Sequence, residues 1–374
     1  MAARCGAVEG MDVRPHRNPD PGFWRGKRVL VTGHTGFKGT WLLLWLHGLG
    51  ARLSALALPP AGEPNLFRDT GAEALAASTF CDIRDAAALR EHVRRARPEI
   101  VFHLAAQALV RPSYADPLAT LQTNVMGTAH LLDALRDIDG LRCAVIVTTD
   151  KVYRNNEWVW PYRESDALGG HDPYSASKAA CELLVESWRR SFLQAQGVAV
   201  ASARAGNVIG GGDWAEDRLL PDAARAWRQG RPLVLRNPGS VRPWQYVLDA
   251  LLGYLLLAEG LCSDGSLEGA YNFGPPAGGV AVRTVAELAC AAYGHGSIEL
   301  APDDGDAPHE ARQLELDASL AREVLDVRPR LSLASAVART MHWYRAYANG
   351  AESRQLCRAD IAAYVASPAG ALGV

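Results

Sequence analysis

A short apolar strand that runs directly into a glycine-rich turn and a helix constrains the fold of this chain most strongly. Residues 27–32 form the predicted strand, Gly33, Gly36 and Gly39 follow at intervals of three, and a helix rich in Trp and Leu continues to Gly48. Glycines let the backbone approach a ligand closely, and free N–H groups at a helix start attract an anion. A structural loop without a ligand is the alternative, but this context favours the pyrophosphate site of a dinucleotide-binding fold.

Strands and helices alternate along the first half of the chain, which predicts an α/β fold with a doubly wound parallel sheet (Rossmann). The further predicted strands lie at residues 51–58, 79–83, 100–104, 143–147 and 198–204, with a return to the sheet at residues 271–274. After residue 205 the periodicity weakens and Gly, Pro and Arg become more frequent. This change predicts a second, smaller substrate-binding domain over the open edge of the sheet.

These patterns divide the chain into four parts. Residues 1–22 mix charges with prolines and are predicted to be a disordered N-terminal extension. The dinucleotide-binding domain takes residues 23–205 plus about 243–276, the smaller domain takes about 206–242 plus 277–350, and residues 351–374 form a C-terminal segment. Arginine forks match phosphate groups, so the candidate phosphate ligands of the smaller domain are Arg218, Arg231, Arg236 and Arg242.

The ends of the predicted strands supply candidate cofactor contacts beside the three glycines. They are Asp82 and Ile83 after the third strand, and Leu104, Ala105 and Ala106 after the fourth strand. The second strand ends at Leu58-Pro59-Pro60, which offers neither an acidic residue for a ribose hydroxyl nor an Arg for a 2′-phosphate. The choice between NAD and NADP therefore stays open at that position.

The chemistry is expected to lie between residues 143 and 178. Five consecutive apolar residues, 143–147, predict a strand buried on both faces, so Thr149, Asp150 and Lys151 emerge where such sheets bind ligands. Downstream, Tyr174 and Lys178 are spaced by one turn on a helix that begins with an Asp-Pro pair.

The spacing of Tyr174 and Lys178 has a chemical use. A phenol has a pKa near ~10, and a lysine cation on the same helix face, with a positively charged nicotinamide ring nearby, favours the phenolate. The tyrosine would then act as a base near neutral pH. The alternative is an ordinary surface pair, because Tyr-x-x-x-Lys alone is a frequent pattern.

Composition excludes several classes of protein. The net charge of −2 and the pI near 6.6 provide no field for nucleic acid or an anionic membrane. The seven cysteines are scattered without a Cys-x-x-Cys pair, which is typical of reduced thiols in a cytoplasmic protein. The ten histidines include no metal-type pair, so no metal site is expected.

Together these motifs resemble the extended short-chain dehydrogenase/reductases that act on nucleotide sugars. Within that family, longer strings resemble the CDP-glucose 4,6-dehydratases, and the likeness covers residues 23 to about 365. The strings are Thr-Gly-His-Thr-Gly-Phe-Lys-Gly (residues 32–39), Pro-Asn-Leu-Phe (64–67), Thr-Asp-Lys (149–151), Arg-Ala-Gly-Asn-Val-Ile-Gly-Gly-Gly-Asp-Trp (204–214), Arg-Pro-Trp-Gln (242–245) and His-Glu-Ala (309–311).

The resemblance implies tightly held NAD, a CDP-glucose substrate and a role for each matched residue. It implies that Tyr174 is the base and that Lys178 contacts the cofactor ribose and the phenol. It also implies that Thr149 contacts the sugar 4-oxygen, that Asp150 protonates the departing 6-hydroxyl, and that Lys151 acts at C5 or positions the base. The implied cofactor contacts in the turn are His34, Thr35, Phe37 and Lys38 with the three glycines, and the implied contacts to the nucleotide diphosphate are Asn207, Arg218 and Arg242.

Two other functions remain open from the sequence. A nucleotide-sugar 4-epimerase, or a dehydratase for another nucleotide sugar, would share Tyr174 and Lys178, although epimerases usually lack an acid–base pair such as Asp150 and Lys151. A dinucleotide-sensing protein without turnover would have no use for Tyr174, Lys178 and Asp150 together. The helices near residues 117–136 and 174–195 are expected to build a homodimer or a tetramer.

Overall fold

The computed structural model describes residues 17–275, 278–302 and 311–367. The strands are β1 (Arg28–Thr32), β2 (Arg52–Ala57), β3 (Ala77–Phe80), β4 (Ile100–His103), β5 (Cys143–Val147), β6 (Ala199–Ala205), β7 (Asn207–Ile209), β8 (Leu233–Leu235), β9 (Val241–Arg242), β10 (Trp244–Tyr246), β11 (Gly269–Phe273), β12 (Val280–Ala281) and β13 (Ile298–Leu300). Seven of them form one parallel sheet in the order β3-β2-β1-β4-β5-β6-β11. The strand order reverses between β1 and β4, which confirms the doubly wound fold.

The described helices either cover the two faces of this sheet or belong to a smaller group of elements beyond it. They are α1 (Pro21–Trp24), α2 (Phe37–Gly48), α3 (Leu66–Asp69), α4 (Ala86–Ala96), α5 (Val110–Ala115), α6 (Pro117–Leu121), α7 (Gly127–Leu135), α8 (Pro173–Trp188), α9 (Leu219–Arg228), α10 (Val247–Ser263), α11 (Val282–Tyr293), α12 (Ser319–Leu325), α13 (Leu333–Ala348) and α14 (Ser353–Val365). Among the described residues, none of these helices combines the length and the apolar character needed to cross a membrane.

Alternate side chains of β1 point to opposite faces and enter separate cores. Val29 and Val31 pack in one core with residues of α2 and α10, whereas Leu30 packs in a second core with residues of α4 and α7. Burial on both faces explains why the sheet strands are continuous apolar runs rather than alternating ones. Because both faces of the sheet are buried, polar side chains can lie together at its edge, where the carboxyl ends of β1, β4 and β5 meet.

A smaller group of elements lies beyond the main sheet. Three short strand pairs, β7 with β10, β9 with β12 and β8 with β13, accompany helices α9, α11 and α13, which pack on one another. The strand β10 belongs to the predicted dinucleotide-binding part but pairs with β7 of the smaller part. The domain boundaries near residues 205, 243 and 276 stay a prediction.

Both ends of the described chain return to the sheet-bearing part. The backbone N–H of Asp20 and the indole of Trp24 both donate to Glu259 Oε1, at 2.8 and 2.7 Å. Residues 17–22 are thus part of the fold, so the predicted extension over residues 1–22 is wrong for this stretch, and residues 1–16 lie outside the described residues. At the other end, α14 packs on α2 and α3.

Candidate active site

The glycine turn presses against the chain that follows β4. Gly33 has a φ of +77°, and a Cβ atom there would lie 2.5 Å from the Ala105 nitrogen and 2.7 Å from the Leu104 carbonyl carbon. Only a residue without a side chain can make this approach. The structure therefore brings Leu104 and Ala105 beside the turn, and their predicted contact with a cofactor stays a prediction.

The other two glycines of the turn have different surroundings. A Cβ atom on Gly39 would lie 2.2 Å from the Gly33 carbonyl oxygen, so this glycine allows α2 to pack against the turn. A Cβ atom on Gly36 would meet that oxygen at 3.5 Å, with no closer neighbour. Helix α2 begins at Phe37, directly after Gly36, and no side chain caps its first N–H groups. An open cradle with uncapped N–H groups fits the pyrophosphate of a dinucleotide.

His34 and Thr35 turn toward the neighbouring strands. The His34 ring is buried, its Nε2 atom lies 2.6 Å from Ser78 Oγ, and burial lowers the pKa of His34 to about 4. His34 Nδ1 has no hydrogen-bond partner among the described residues. The Thr35 hydroxyl donates to the Leu58 carbonyl oxygen at 3.0 Å.

Asp82 and Ile83 follow β3, close to the second strand. Asp82 accepts hydrogen bonds from the Arg84 guanidinium at 2.9 and 2.6 Å, and this partner holds the pKa of the carboxyl below its usual value. Ile83 is buried, and a Cβ atom on Gly127 would lie 2.5 Å from its Cδ1 atom. The adenine contact predicted for both residues stays a prediction.

The predicted start of α8 is confirmed in detail. Asp172 accepts a hydrogen bond from the Ser175 backbone N–H at 2.9 Å, and Pro173 takes the first helical position. Tyr174 follows, and its backbone N–H donates to Ser113 Oγ at 3.1 Å. The cap sets the start of the helix, so Tyr174 and Lys178 are one turn apart on it, and Lys178 contacts the end of β5.

Burial opposes loss of the proton from the Tyr174 phenol. Burial raises the pKa of Tyr174 to about 12, and the hydrogen bond with Thr149 and the charge of Arg218 only partly oppose this. Lys178 donates to the Val147 carbonyl oxygen at 3.2 Å, and burial lowers the pKa of its amine. The expectation that Lys178 and a positively charged nicotinamide ring together favour the phenolate stays a prediction.

Asp150 is buried directly after β5 with one unpaired oxygen. Its Oδ1 atom accepts from the Thr149 hydroxyl at 2.9 Å, whereas Oδ2 has no hydrogen-bond partner among the described residues. Burial raises the pKa of Asp150, although the neighbouring Lys151 charge acts against the shift. A carboxyl group that holds its proton at higher pH is suited to act as an acid.

Lys38 reaches the catalytic residues from the glycine turn. Burial lowers the pKa of its amine to about 7, and the charges that further affect it include those of Arg218, Lys178 and Asp150. Its Nζ atom lies 5.9 Å from the centre of the Tyr254 ring. The glycine turn thus also contributes the Lys38 amine to the group formed by Lys178 and Asp150.

The predicted substrate residues lie on the side of the smaller domain. Arg218 forms an ion pair with Asp213 at 3.6 Å, and its charge acts on Tyr174. Arg242 is buried, donates to the Val241 carbonyl oxygen at 2.9 Å, and its charge acts on Asp150. Asn207 is half-buried at the start of β7. Both arginines therefore border the predicted catalytic residues, whereas Arg231 is exposed and pairs with Gln229.

The sequence did not indicate several polar residues around this group. Asn124 is buried on a π-helical turn, Gln122–Met126, where it accepts from the Gln107 N–H at 2.8 Å and donates to Ser177 Oγ at 2.8 Å. Ser113 supports the Tyr174 backbone in the same region. No spacing in the sequence marks these residues, although π turns are frequent near functional sites. No cluster of three metal-ligating side chains occurs in the described ranges.

Comparison with known proteins places this site in a family. Residues 29–274 match the NAD dependent epimerase/dehydratase family. The chain belongs to this family. A CDP-glucose 4,6-dehydratase of Salmonella typhimurium is 43% identical over 93% of this chain and 99% of its own length.

Solved structures show the same fold. A dTDP-glucose 4,6-dehydratase from Streptomyces venezuelae with bound NAD is 28% identical, with a TM-score of 0.72 over 85% of this chain and 96% of its own. A UDP-glucose 4-epimerase from Thermotoga maritima is 25% identical, with a TM-score of 0.74 over 85% of this chain and 99% of its own. The family is NAD-dependent, and the glycine cradle described above fits this cofactor.

Proposed function

We propose that this chain removes water from CDP-glucose to give CDP-4-keto-6-deoxyglucose, with NAD as its cofactor. One observation carries the proposal: a buried Asp150, whose pKa is raised, lies beside the hydroxyl of Thr149 in the same group as Tyr174 and Lys178. An oxidation at C4 needs a base, whereas loss of the 6-hydroxyl also needs an acid. The similarity to the Salmonella typhimurium dehydratase supports the nucleotide and the sugar.

Tyr174 is the proposed general base of the oxidation at C4. It takes the proton of the 4-hydroxyl, while Thr149, which shares a hydrogen bond with the phenol, contacts the 4-oxygen. Lys178 lies one turn along α8, where it would hold the cofactor ribose and stabilise the phenolate. NAD, when bound, would supply the hydride chemistry that links C4 to C6.

Asp150 is the proposed general acid of the elimination. A ketone at C4 acidifies the C5 proton, so that a base at C5 and an acid at the 6-oxygen together expel water. We assign proton donation to Asp150, and we assign the C5 proton, or the positioning of its base, to Lys151. Asn207, Arg218 and Arg242 would hold the nucleotide diphosphate, since guanidinium forks match phosphate oxygens.

Product analysis of the purified protein tests this assignment. Incubation with CDP-glucose should yield a 4-keto-6-deoxy sugar nucleotide without added reductant, detected by mass spectrometry as the loss of one water. A 4-epimerase would give a product of unchanged mass, and a dinucleotide-sensing protein would give no product. UDP-glucose and dTDP-glucose in parallel reactions test the choice of the nucleotide base, and faster turnover of either would contradict the CDP assignment.

We further infer that two copies associate through α6, α8 and the turn between α6 and α7. These elements expose apolar side chains on adjoining positions: Leu118, Leu121, Met126 and Leu183. Contiguous exposed apolar surface is typical of an interaction site. A cytoplasmic location is proposed as well, and the six described cysteines, all free, support it.

A further inference from the structure

A buried ion pair joins the helix that carries Tyr174 to the strand beside β5. Glu182 lies on α8 one turn after Lys178, and its Oε2 atom accepts from Arg204 Nη2 of β6 at 2.9 Å. Both side chains are 4% exposed. Neither residue has a part in the proton transfers assigned above.

This ion pair holds both ends of the turn that carries Thr149, Asp150 and Lys151. Thr148 stands directly before the turn, and its hydroxyl donates to Glu182 Oε1. Tyr153 stands directly after it, and its hydroxyl accepts from Arg204 Nη1 at 2.8 Å and donates to Asn272 Oδ1 at 2.7 Å. The two flanking hydroxyls are thus tied to one carboxylate–guanidinium pair.

We propose that Glu182 and Arg204 are positioning residues, a buried clamp that holds the catalytic turn in register with Tyr174. A buried ion pair is weak evidence of stabilisation, because desolvation of the charges offsets their attraction and apolar residues often do as well. Here the pair fixes the position of the turn, because its carboxylate and guanidinium form hydrogen bonds with hydroxyl groups on two separate segments of the chain. The inference rests on the proposed function for the roles of the residues in the turn.

Removal of either charge is an unsuitable test, because the remaining charge would be buried without a partner. Deletion of single hydroxyls leaves the clamp charged and paired. Thr148→Val and Tyr153→Phe remove the two hydroxyls that tie the turn. Ser202→Ala is the matched control, because Ser202 Oγ donates to Glu182 Oε2 at 2.6 Å from β6, which is not part of the turn.

The clamp predicts a split between turnover and binding. The double variant Thr148→Val/Tyr153→Phe should lower kcat for dehydration by about ten- to a hundredfold, because small displacements of reacting groups cost this much. Its KM should stay within about twofold of the wild type. Ser202→Ala should lower the melting temperature to a similar extent yet keep kcat within about twofold, and Thr148→Ser should restore the turnover lost in Thr148→Val.

Two results would overturn the clamp. The first is an unchanged kcat in the double variant. The second is a fall in kcat that is proportional to the fall in melting temperature in every variant, including Ser202→Ala. Failure of the proposed function would look different, because the wild type itself would then lack a 4-keto-6-deoxy product. If the wild type forms another product from a nucleotide sugar, the same comparison of kcat decides on the clamp. Circular dichroism of each variant confirms that the folded state is retained.

Discussion

At the scale of single residues, burial moves the pKa of Asp150 and of Tyr174 upward, with opposite consequences. The shift favours the protonated form of Asp150, which is the form that an acid needs. The shift to about 12 opposes loss of the Tyr174 proton. A base at this position therefore needs further positive charge, which an oxidised nicotinamide ring would supply together with Lys178. The phenol is thus expected to become a base only in the presence of oxidised cofactor.

The Tyr174 assignment predicts the effect of removing one phenol oxygen. Tyr174→Phe should lower the rate of ketone formation by about 10²- to 10⁴-fold, because general base catalysis is lost while the ring remains. Tyr254→Phe is the matched control, since its buried hydroxyl has no hydrogen-bond partner in the part of the chain that the structure describes. Steady-state rates and the NAD content of both proteins would be measured. Near-normal turnover of Tyr174→Phe would remove it from the mechanism.

Sequence reasoning succeeded where a residue type and its spacing determine the local structure. The N-cap at Asp172, the helical pairing of Tyr174 with Lys178, and the position of Asp150 after a buried strand were all predictable. The pKa of Tyr174 was not, because it depends on burial by elements distant in the chain. The clamp was hidden for the same reason, since Glu182 and Arg204 meet only through the packing of α8 on the sheet.

At the scale of secondary-structure elements, the glycine turn separates two requirements. Gly39 meets backbone atoms that cannot move independently, so it is needed for α2 to pack against β1. Gly36 has free space toward the proposed pyrophosphate, so it is needed only when a cofactor binds. The two glycines look alike in the sequence, and only the structure distinguishes their roles.

Substitution by alanine should reveal this difference. Gly39→Ala should destabilise the protein by about 1–3 kcal/mol through overpacking and should also lower its NAD content. Without cofactor, Gly36→Ala should melt near the wild-type temperature. It should bind NAD at least tenfold more weakly, because an added methyl group would keep the pyrophosphate away from the backbone N–H groups. Gly48→Ala is the control, because a Cβ atom there has no neighbour within 4 Å. Equal cofactor binding by Gly36→Ala and wild type would contradict the cradle.

The contact between α10 and α14 gives a prediction that depends on pH. Asp249 Oδ1 accepts from the Tyr364 hydroxyl at 2.6 Å and from the Arg330 N–H at 2.8 Å, and burial raises its pKa to about 6. In the unfolded chain the pKa of an Asp carboxyl is near ~3.9. Protonation of Asp249 therefore contributes its full stabilisation of the folded state below that pH, and this contribution is lost as the pH rises through about 6.

An amide at this position keeps the acceptor and removes the charge. Asp249→Asn should therefore be more stable than the wild type by roughly 2 kcal/mol at pH 8, and this gain should shrink toward pH 4. Asp249→Ala is the matched variant, and it should be less stable at both pH values because two buried donors lose their acceptor. Urea unfolding at a series of pH values measures both. A gain in Asp249→Asn that grows toward acidic pH would contradict the direction of the shift.

At the scale of the whole molecule, the main sheet was predictable from the sequence. The short strand pairs of the smaller domain and the packing of the first described residues were not. Continuous apolar runs and the glycine turn identified the doubly wound core, because these patterns report burial directly. The short strand pairs of the smaller domain consist of two or three residues each and carry too little pattern to be recognised. The docking of residues 17–24 on Glu259 was missed because charged and proline-rich sequence usually indicates disorder.

The proposed homodimer predicts the effect of charge on its apolar surface. Leu118→Arg and Leu183→Arg should each shift the protein from dimer to monomer, because a buried unpaired guanidinium would oppose association. Leu320→Arg, on α12 outside this surface, is the control and should leave the dimer intact. Analytical ultracentrifugation measures the masses. A wild-type monomer, or a dimer that survives both substitutions, would contradict the proposed interface.

The fate of the C4 hydrogen tests the central claim most directly. The product differs from the substrate by one water and no external reductant is used, so hydrogen removed from C4 must return within the same sugar. CDP-glucose with deuterium at C4 should give a product that carries this deuterium on the C6 methyl group, as observed by NMR. Deuterium found again at C4, or lost to free reduced cofactor, would contradict the dehydratase mechanism.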